Sequence, residues 1–240
     1  MERFHFLIYL QAVTHAKQFL DTCYANQGDP KHDLQSYRNS DRFCYLLSQG
    51  LSYFETGKHA DIGLQPLLYF YGLEHFMKAN ILTVRPDYPD STKVLAHGLS
   101  TRKRKKQHYR FREDEVRIQP NGLFPYAARH LFNWTYPRLP EKAGIDDMLR
   151  QIPEMAIYFH YKEGEEVKTP GAVWPELLTH FILLYNLSML VRYEVEWWGE
   201  MQQLRDREDF TFIKGFLLCT GEKVPRLVEE WLHSRSFDLS

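Results

Sequence analysis

At 240 residues, with 44% hydrophobic and 15% aromatic side chains, the chain is long and apolar enough for a sizeable core. A formal net charge of −1 excludes a protein that coats nucleic acid through its whole surface, so a polyanionic partner must be met by a local patch. The three cysteines, Cys23, Cys44 and Cys219, form no C-x-x-C or Cys/His cluster, which predicts reduced thiols in a cytoplasmic protein, no zinc site and no bound cofactor.

From Phe4 to about Tyr24 apolar residues recur at three- and four-residue steps, predicting an amphipathic helix that ends at NQGDP. Gln11, His15 and Lys17 interrupt its apolar run, so it does not read as a signal peptide. A second helix is expected from Ser40 or Asp41, with Phe43, Leu46, Leu47, Leu51 and Phe54 inward, stopping at Thr56-Gly57; Gly50 weakens it. Pro66 suits a first helical turn, so a third helix runs to about Leu82. Its inner stripe is Leu67, Phe70, Leu73, Met77 and Ile81; Tyr71, His75 and Lys78 share a neighbouring face, and Glu74 and Lys78 have the spacing of an i,i+4 ion pair.

The prolines of RPDYPDS end that helix. The piece TKVLAHGLS stops at Gly98, whose expected positive φ leaves His97 near a basic run; a capping role would account for both residues equally well. That run, TRKRKKQHYRFR, is either a solvated charge run or a phosphate-binding edge. In the second reading Lys78, Lys103, Arg104, Lys105, Arg110 and Arg112 meet phosphate, while Tyr71 and Tyr109 stack on a base. The alternation of Tyr109 and Phe111 with Arg110 and Arg112 also fits a strand with its aromatics inward.

VRIQPNGLFPY predicts a β-hairpin near 115–126, turning at Pro-Asn-Gly, inside an irregular insert over 107–170. That insert also carries short helices at Ala127–Trp134 and Asp146–Arg150, an extended piece at Tyr158–Tyr161 and a polar loop from Glu163 to Gly171. One long helix is expected from Trp174 or Pro175 to Leu204; its Trp197-Trp198 end either closes a core or offers a partner or dimer surface. Helices Phe210–Leu218, stopping at Gly221, and Val224–His233 complete the chain. The expected fold is mainly α: a single helical domain over 1–240, a bundle with a small β-hairpin insert between two helical halves. No apolar stretch approaches the roughly 18 to 20 residues of a membrane span.

The segment LLYFYGLEHFMKANILTVRPDYPDSTKVLAHGLSTRKRKKQ, followed by DEVRIQPNGLF, resembles the bacterial YaaC-like family over most of the chain. That resemblance implies a mostly helical, cytosolic bacterial protein and names no activity. The aromatic helix and the following His-Gly pair are also similar, more distantly, to HEPN-type helical proteins, which bind nucleotides or cleave RNA. HEPN nucleases carry Arg and His separated by four to six residues, a spacing matched by Arg102 and His108 and again by Arg226 and His233.

The resemblance implies a metal-independent ribonuclease or nucleotide hydrolase in which His97 or His108 transfers a proton and Arg102 stabilises the charged transition state. Phosphate-loop, dinucleotide-binding, nucleophile-elbow and H-E-x-x-H motifs are all missing. The expected function is therefore binding of a nucleotide or RNA phosphate, with catalysis added in the HEPN-like version. The competing expectation is a non-catalytic protein-interaction module that uses the basic run and the tryptophan-rich helix end.

Overall fold

The computed structural model describes residues 4–102, 109–135, 137–164, 173–204 and 208–236. It is mainly helical, as expected. The first predicted helix forms in two pieces, α1 (His5–Tyr9) and α2 (Val13–Asn26). α3 (His32–His59) begins before Ser40 and runs past Gly57, and α4 (Gln65–Leu82) carries Pro66 in its first turn as predicted.

α4 is the centre of the bundle. Tyr69, Phe70, Leu73, Phe76, Met77, Ile81 and Leu82 are all buried, so its apolar surface runs round the helix, the pattern of an interior helix. α3 reaches it through rings seated on glycines. A Cβ at Gly50 would lie 2.4 Å from the Phe76 ring, one at Gly72 2.7 Å from Phe54, and one at Gly57 2.5 Å from Tyr69. The rings then stack along the seam, Phe54 on Phe76 at 5.5 Å and on Tyr69 at 5.0 Å. Gly50 weakens the helix by propensity and strengthens it by packing.

After α4 the chain forms a 3-10 turn at Thr92–Leu95 and a three-stranded antiparallel sheet of β1 (Leu99–Ser100), β2 (Glu115–Ile118) and β3 (Lys142–Gly144), with β2 in the middle. Leu99 pairs with Ile118 and Ser100 with Arg117; Val116 pairs with Ala143 and Arg117 with Lys142. The strand expected at 115–118 is present, but its partner is not the segment after Pro-Asn-Gly. That segment is helix α5 (Leu123–Phe132). Leu123, Phe124, Ala127, Ala128 and Leu131 are its buried residues, and their three- and four-residue spacing outweighs the turn signal that suggested a hairpin.

α6 (Ile145–Arg150) follows β3 directly, and α7 (Ala156–Glu163) replaces the extended piece expected at Tyr158–Tyr161. The long helix is two: α8 (Glu176–Tyr193) and α9 (Val195–Leu204) meet at Glu194, whose ψ of 50° breaks the helix and turns Trp198 and Met201 into the core. α8 is the second interior helix, meeting α4 where Phe70 packs against Phe181 at 5.3 Å and Tyr185 at 5.7 Å. α10 (Glu208–Ser236) is continuous where two helices were expected. Tertiary contacts override its Gly221 and Pro225: the Tyr69 hydroxyl sits 2.5 Å from where a Gly221 Cβ would be, and Lys223 is clamped between Glu154 and Glu176.

Gly50→Ala is expected to lower stability. Alanine favours a helix over glycine by about 1 kcal/mol, but forcing Phe76 out of its seat costs about 1–3 kcal/mol, so a thermal melt should show a lower Tm.

Candidate functional site

α4 holds one buried carboxylate. Glu74 is 7% exposed, and two groups meet it: Lys78 Nζ, one helical turn on, donates to Oε1, and His97 Nδ1 stands 3.3 Å from Oε2. Burial pushes the Glu74 carboxyl upward, yet the contact with His97 and the charge and hydrogen bond of Lys78 outweigh it and hold the pKa at about 2. The His97 ring packs edge-on to Phe70 at 5.1 Å and lies 5.9 Å from Tyr185, whose hydroxyl donates to the Leu99 carbonyl at 2.9 Å. With its side chain 34% exposed, His97 has one ring edge on a buried anion and part of its surface in solvent.

His97 is set by a crossing of two glycines. Gly98 (φ 80°) and Gly122 (φ 124°) touch backbone to backbone; a Cβ on Gly122 would lie 2.3 Å from the Gly98 Cα. Around the crossing Leu123 N–H donates to the Ala96 carbonyl at 2.7 Å, Phe124 N–H to the His97 carbonyl at 3.0 Å and Gln119 N–H to the Gly98 carbonyl at 2.9 Å. The first turn of α5 is thus capped by the histidine's own segment. The crossing borders a cleft of about 480 Å³ formed by Leu95, His97, Gly98, Gln119, Pro120 and Asn121, within the size range of small-molecule sites. A hollow of about 650 Å³ between Asp61, Gln202, Phe210 and Lys214 contains none of the predicted site residues.

The predicted site residues divide. Lys78 and His97 converge on Glu74. Arg102 lies beyond β1, exposed and 3.7 Å from Glu115. Tyr71 packs on Tyr53 at 6.3 Å and on Phe70 at 5.5 Å, one ring removed from His97. Tyr109 is turned inward: its hydroxyl donates to Asp114 at 2.8 Å and its ring meets Trp197 edge-on at 5.0 Å, while burial and the Asp114 charge push the phenol pKa up. Arg110 is exposed beside Glu113. Arg112 is internal, bound to Asp146 at 2.5 Å with its guanidinium over the rings of Phe159 at 4.8 Å and Phe212 at 4.4 Å. Lys103, Arg104, Lys105 and His108 lie outside the described residues.

Of the second spaced pair, Arg226 is exposed and the His233 ring stacks on Phe6 at 4.0 Å. Trp198 is buried, and Trp197 Nε1 donates to the Tyr109 carbonyl at 3.3 Å, so both tryptophans take part in closing the core. His180 is another histidine beside a carboxylate, 3.8 Å from Glu176, but it is wholly buried. Among the described residues no group of three or more His, Cys, Asp or Glu is arranged to hold a metal ion, and no described helix is long and apolar enough to cross a membrane.

A family model described as YaaC-like Protein matches residues 8–170 and 157–232. The chain belongs to the YaaC-like family. No curated protein and no solved structure matches it, and the HEPN-type resemblance has no counterpart in these comparisons. In this YaaC-like protein the glycine crossing joins AHGLS and QPNGLF, which lie within the two segments that carried the family resemblance, LLYFYGLEHFMKANILTVRPDYPDSTKVLAHGLSTRKRKKQ and DEVRIQPNGLF.

The sequence of this YaaC-like protein shows Glu74 as an i,i+4 partner of Lys78 and does not show that the pair is buried against His97. The one signal it left is a carboxylate close to an otherwise apolar helical stripe. Its depressed pKa contributes stability that is complete above the ordinary value of 4.5 and is lost as pH falls towards about 2. Glu74→Gln removes that dependence, so its Tm should fall less steeply than the wild type's between pH 4.5 and 2. Parallel melting curves across that window would contradict the buried pairing.

Proposed function

We propose that this YaaC-like protein binds the phosphate of a nucleotide or RNA at the cleft beside His97, and that His97 transfers a proton in cleavage of the phosphoester. The observation that carries this reading is the contact between a buried carboxylate and a part-exposed imidazole, Glu74 Oε2 to His97 Nδ1 at 3.3 Å. The two atoms face each other without a formed hydrogen bond in this structure; closing that contact holds the ring and its tautomer and leaves Nε2 for a ligand, the same division of labour that carboxylate-histidine pairs serve in acyl transfer. In strand-cleaving chemistry such a ring takes the proton from an attacking hydroxyl or returns one to the leaving oxygen.

Charge for the phosphate comes from two sides. Lys78 stands against the same carboxylate as His97, and Arg102 follows five residues after His97, within about 18 Å along an extended chain. Arg112 and Tyr109 have no part in this reading, since both face the interior. HEPN-like chemistry remains a proposal that rests on this arrangement of histidine and arginine.

The test is a thermal-shift panel of nucleotides and a short RNA, with product analysis by chromatography, on wild type, His97→Ala and Arg102→Ala. A bound ligand at a hundredfold excess over its Kd stabilises the native state by about 2.7 kcal/mol. Wild type should show a shift and cleavage; His97→Ala should keep most of the shift and lose about 10²–10⁴ in rate, the range of one proton-transfer group; Arg102→Ala should weaken the shift. Cleavage that survives His97→Ala removes the catalytic role, and no shift with any ligand at low salt removes the binding reading, leaving a protein-interaction role.

A further inference from the structure

The outer face of the small sheet is polar from end to end. Val116, Ala143 and Leu99 turn inward and are buried, so strand alternation turns Glu115, Arg117, Ser100 and Lys142 to the other side. Ser100 is opposite Arg117 and Arg117 opposite Lys142, which puts two cations on neighbouring strands; beyond them Lys142 reaches Glu115 at 2.7 Å and Arg102 reaches it at 3.7 Å. Two of these cations, Lys142 and Arg102, therefore share one carboxylate, Arg117 lies between Ser100 and Lys142 in the register, and all three are exposed.

This face adjoins the cleft. Gln119 borders the cleft and its Nε2 donates to Ser100 Oγ at 2.7 Å, joining the two surfaces. Among the described residues the cleft has Leu95, Pro120 and Asn121 beside His97 and no Lys or Arg in its wall, so a phosphate seated at His97 draws its charge from the rim and the wall itself faces the sugar or base. The cations are spread over strands about 4.8 Å apart, which matches successive phosphates better than a single one.

We infer that the ligand is single-stranded RNA, with one nucleotide seated in the cleft at His97 and its neighbouring phosphates laid across the sheet over Arg117, Lys142 and Arg102. This rests on the nucleotide-or-RNA reading above and narrows it: a mononucleotide fills the cleft alone and leaves the sheet empty. Arg117 and Lys142 become specificity determinants for length.

The experiment measures binding of a fluorescein-labelled oligouridylate of about ten nucleotides, inside the range of single-strand binding sites, and of uridine monophosphate as reference. Both are titrated against wild type and the Arg117→Ala, Lys142→Ala double variant over a series of salt concentrations. Wild type should prefer the oligonucleotide, with log Kd rising against log salt by about 0.7 per phosphate contacted. The double variant should lose about 1.4 from that slope, and its preference for the oligonucleotide over the monophosphate should shrink towards one. Both side chains are exposed, so a matched melting curve shows that the variant folds. Equal affinities for the two ligands in wild type, or an unchanged slope in the variant, overturn the inference and leave the cleft reading standing. Binding of neither ligand at low salt overturns both.

Discussion

A carboxylate inside a helical bundle needs positive charge against it, because the cost of removing it from water is recovered only by close, well-placed partners. Glu74 faces that requirement from the middle of α4. Lys78 supplies one partner from the same helix, and His97 brings its ring to the second oxygen from the loop that follows, where it also packs on Phe70. The demand for a second partner helps to fix the path of the chain after the helix. Once His97 is anchored, Gly98 is brought to Gly122, the first turn of α5 takes its carbonyl partners from Ala96 and His97, and β1 is delivered to the edge of β2.

The protein separates its cations by what they do. Arg112 is drawn into the interior, where Asp146 neutralises it and the Phe159 and Phe212 rings cover it; Arg150 joins the same carboxylate at 2.8 Å. Although burial works against the charged form, the two guanidiniums hold the Asp146 carboxyl below its ordinary range. Such a desolvated network ties the Phe111–Glu113 turn, α6, α7 and α10 together and has nothing left to offer a phosphate. Arg102, Arg117 and Lys142 stay outside, the first and last of them sharing Glu115. A sequence with almost no net charge can still place exposed cations side by side locally, since net charge says nothing of where the charges lie.

How much of this the sequence revealed depended on whether local chemistry or tertiary packing set each feature. The helices at α4 and α6 and the strand at 115–118 were legible because period and punctuation agreed with their surroundings. The hairpin was not, since a Pro-Asn-Gly turn leads equally well into a helix when the residues after it repeat every three or four positions. α10 ran through Gly221 and Pro225 for contacts with Tyr69, Glu154 and Glu176 that no local window contains. Of the cluster at Glu74, His97 and Lys78 could be singled out from spacing and residue type. The carboxylate that joins them was hidden, because an i,i+4 Glu-Lys pair on a helix looks the same whether it faces water or the core. The neighbouring placement of Arg117 and Lys142 left no sequence signal, because only strand register brings them together.

The two histidines paired with carboxylates show what access adds to chemistry. His180 has a carboxylate at 3.8 Å, a hydroxyl partner in Thr220 at 3.0 Å and the Phe216 ring stacked at 5.4 Å, all inside the bundle. Burial lowers its pKa despite Glu176, so the ring stays neutral and the nearby positive charge belongs to Lys223. There it is a filler of a polar gap, and no ligand can reach it. His97 has the same kind of partner but lies at a cleft, with a third of its side chain in solvent and an exposed basic sheet beside it. Residue type and pairing alone would rank the two equally; only the one with part of its side chain in solvent meets the access that proton transfer to a ligand requires.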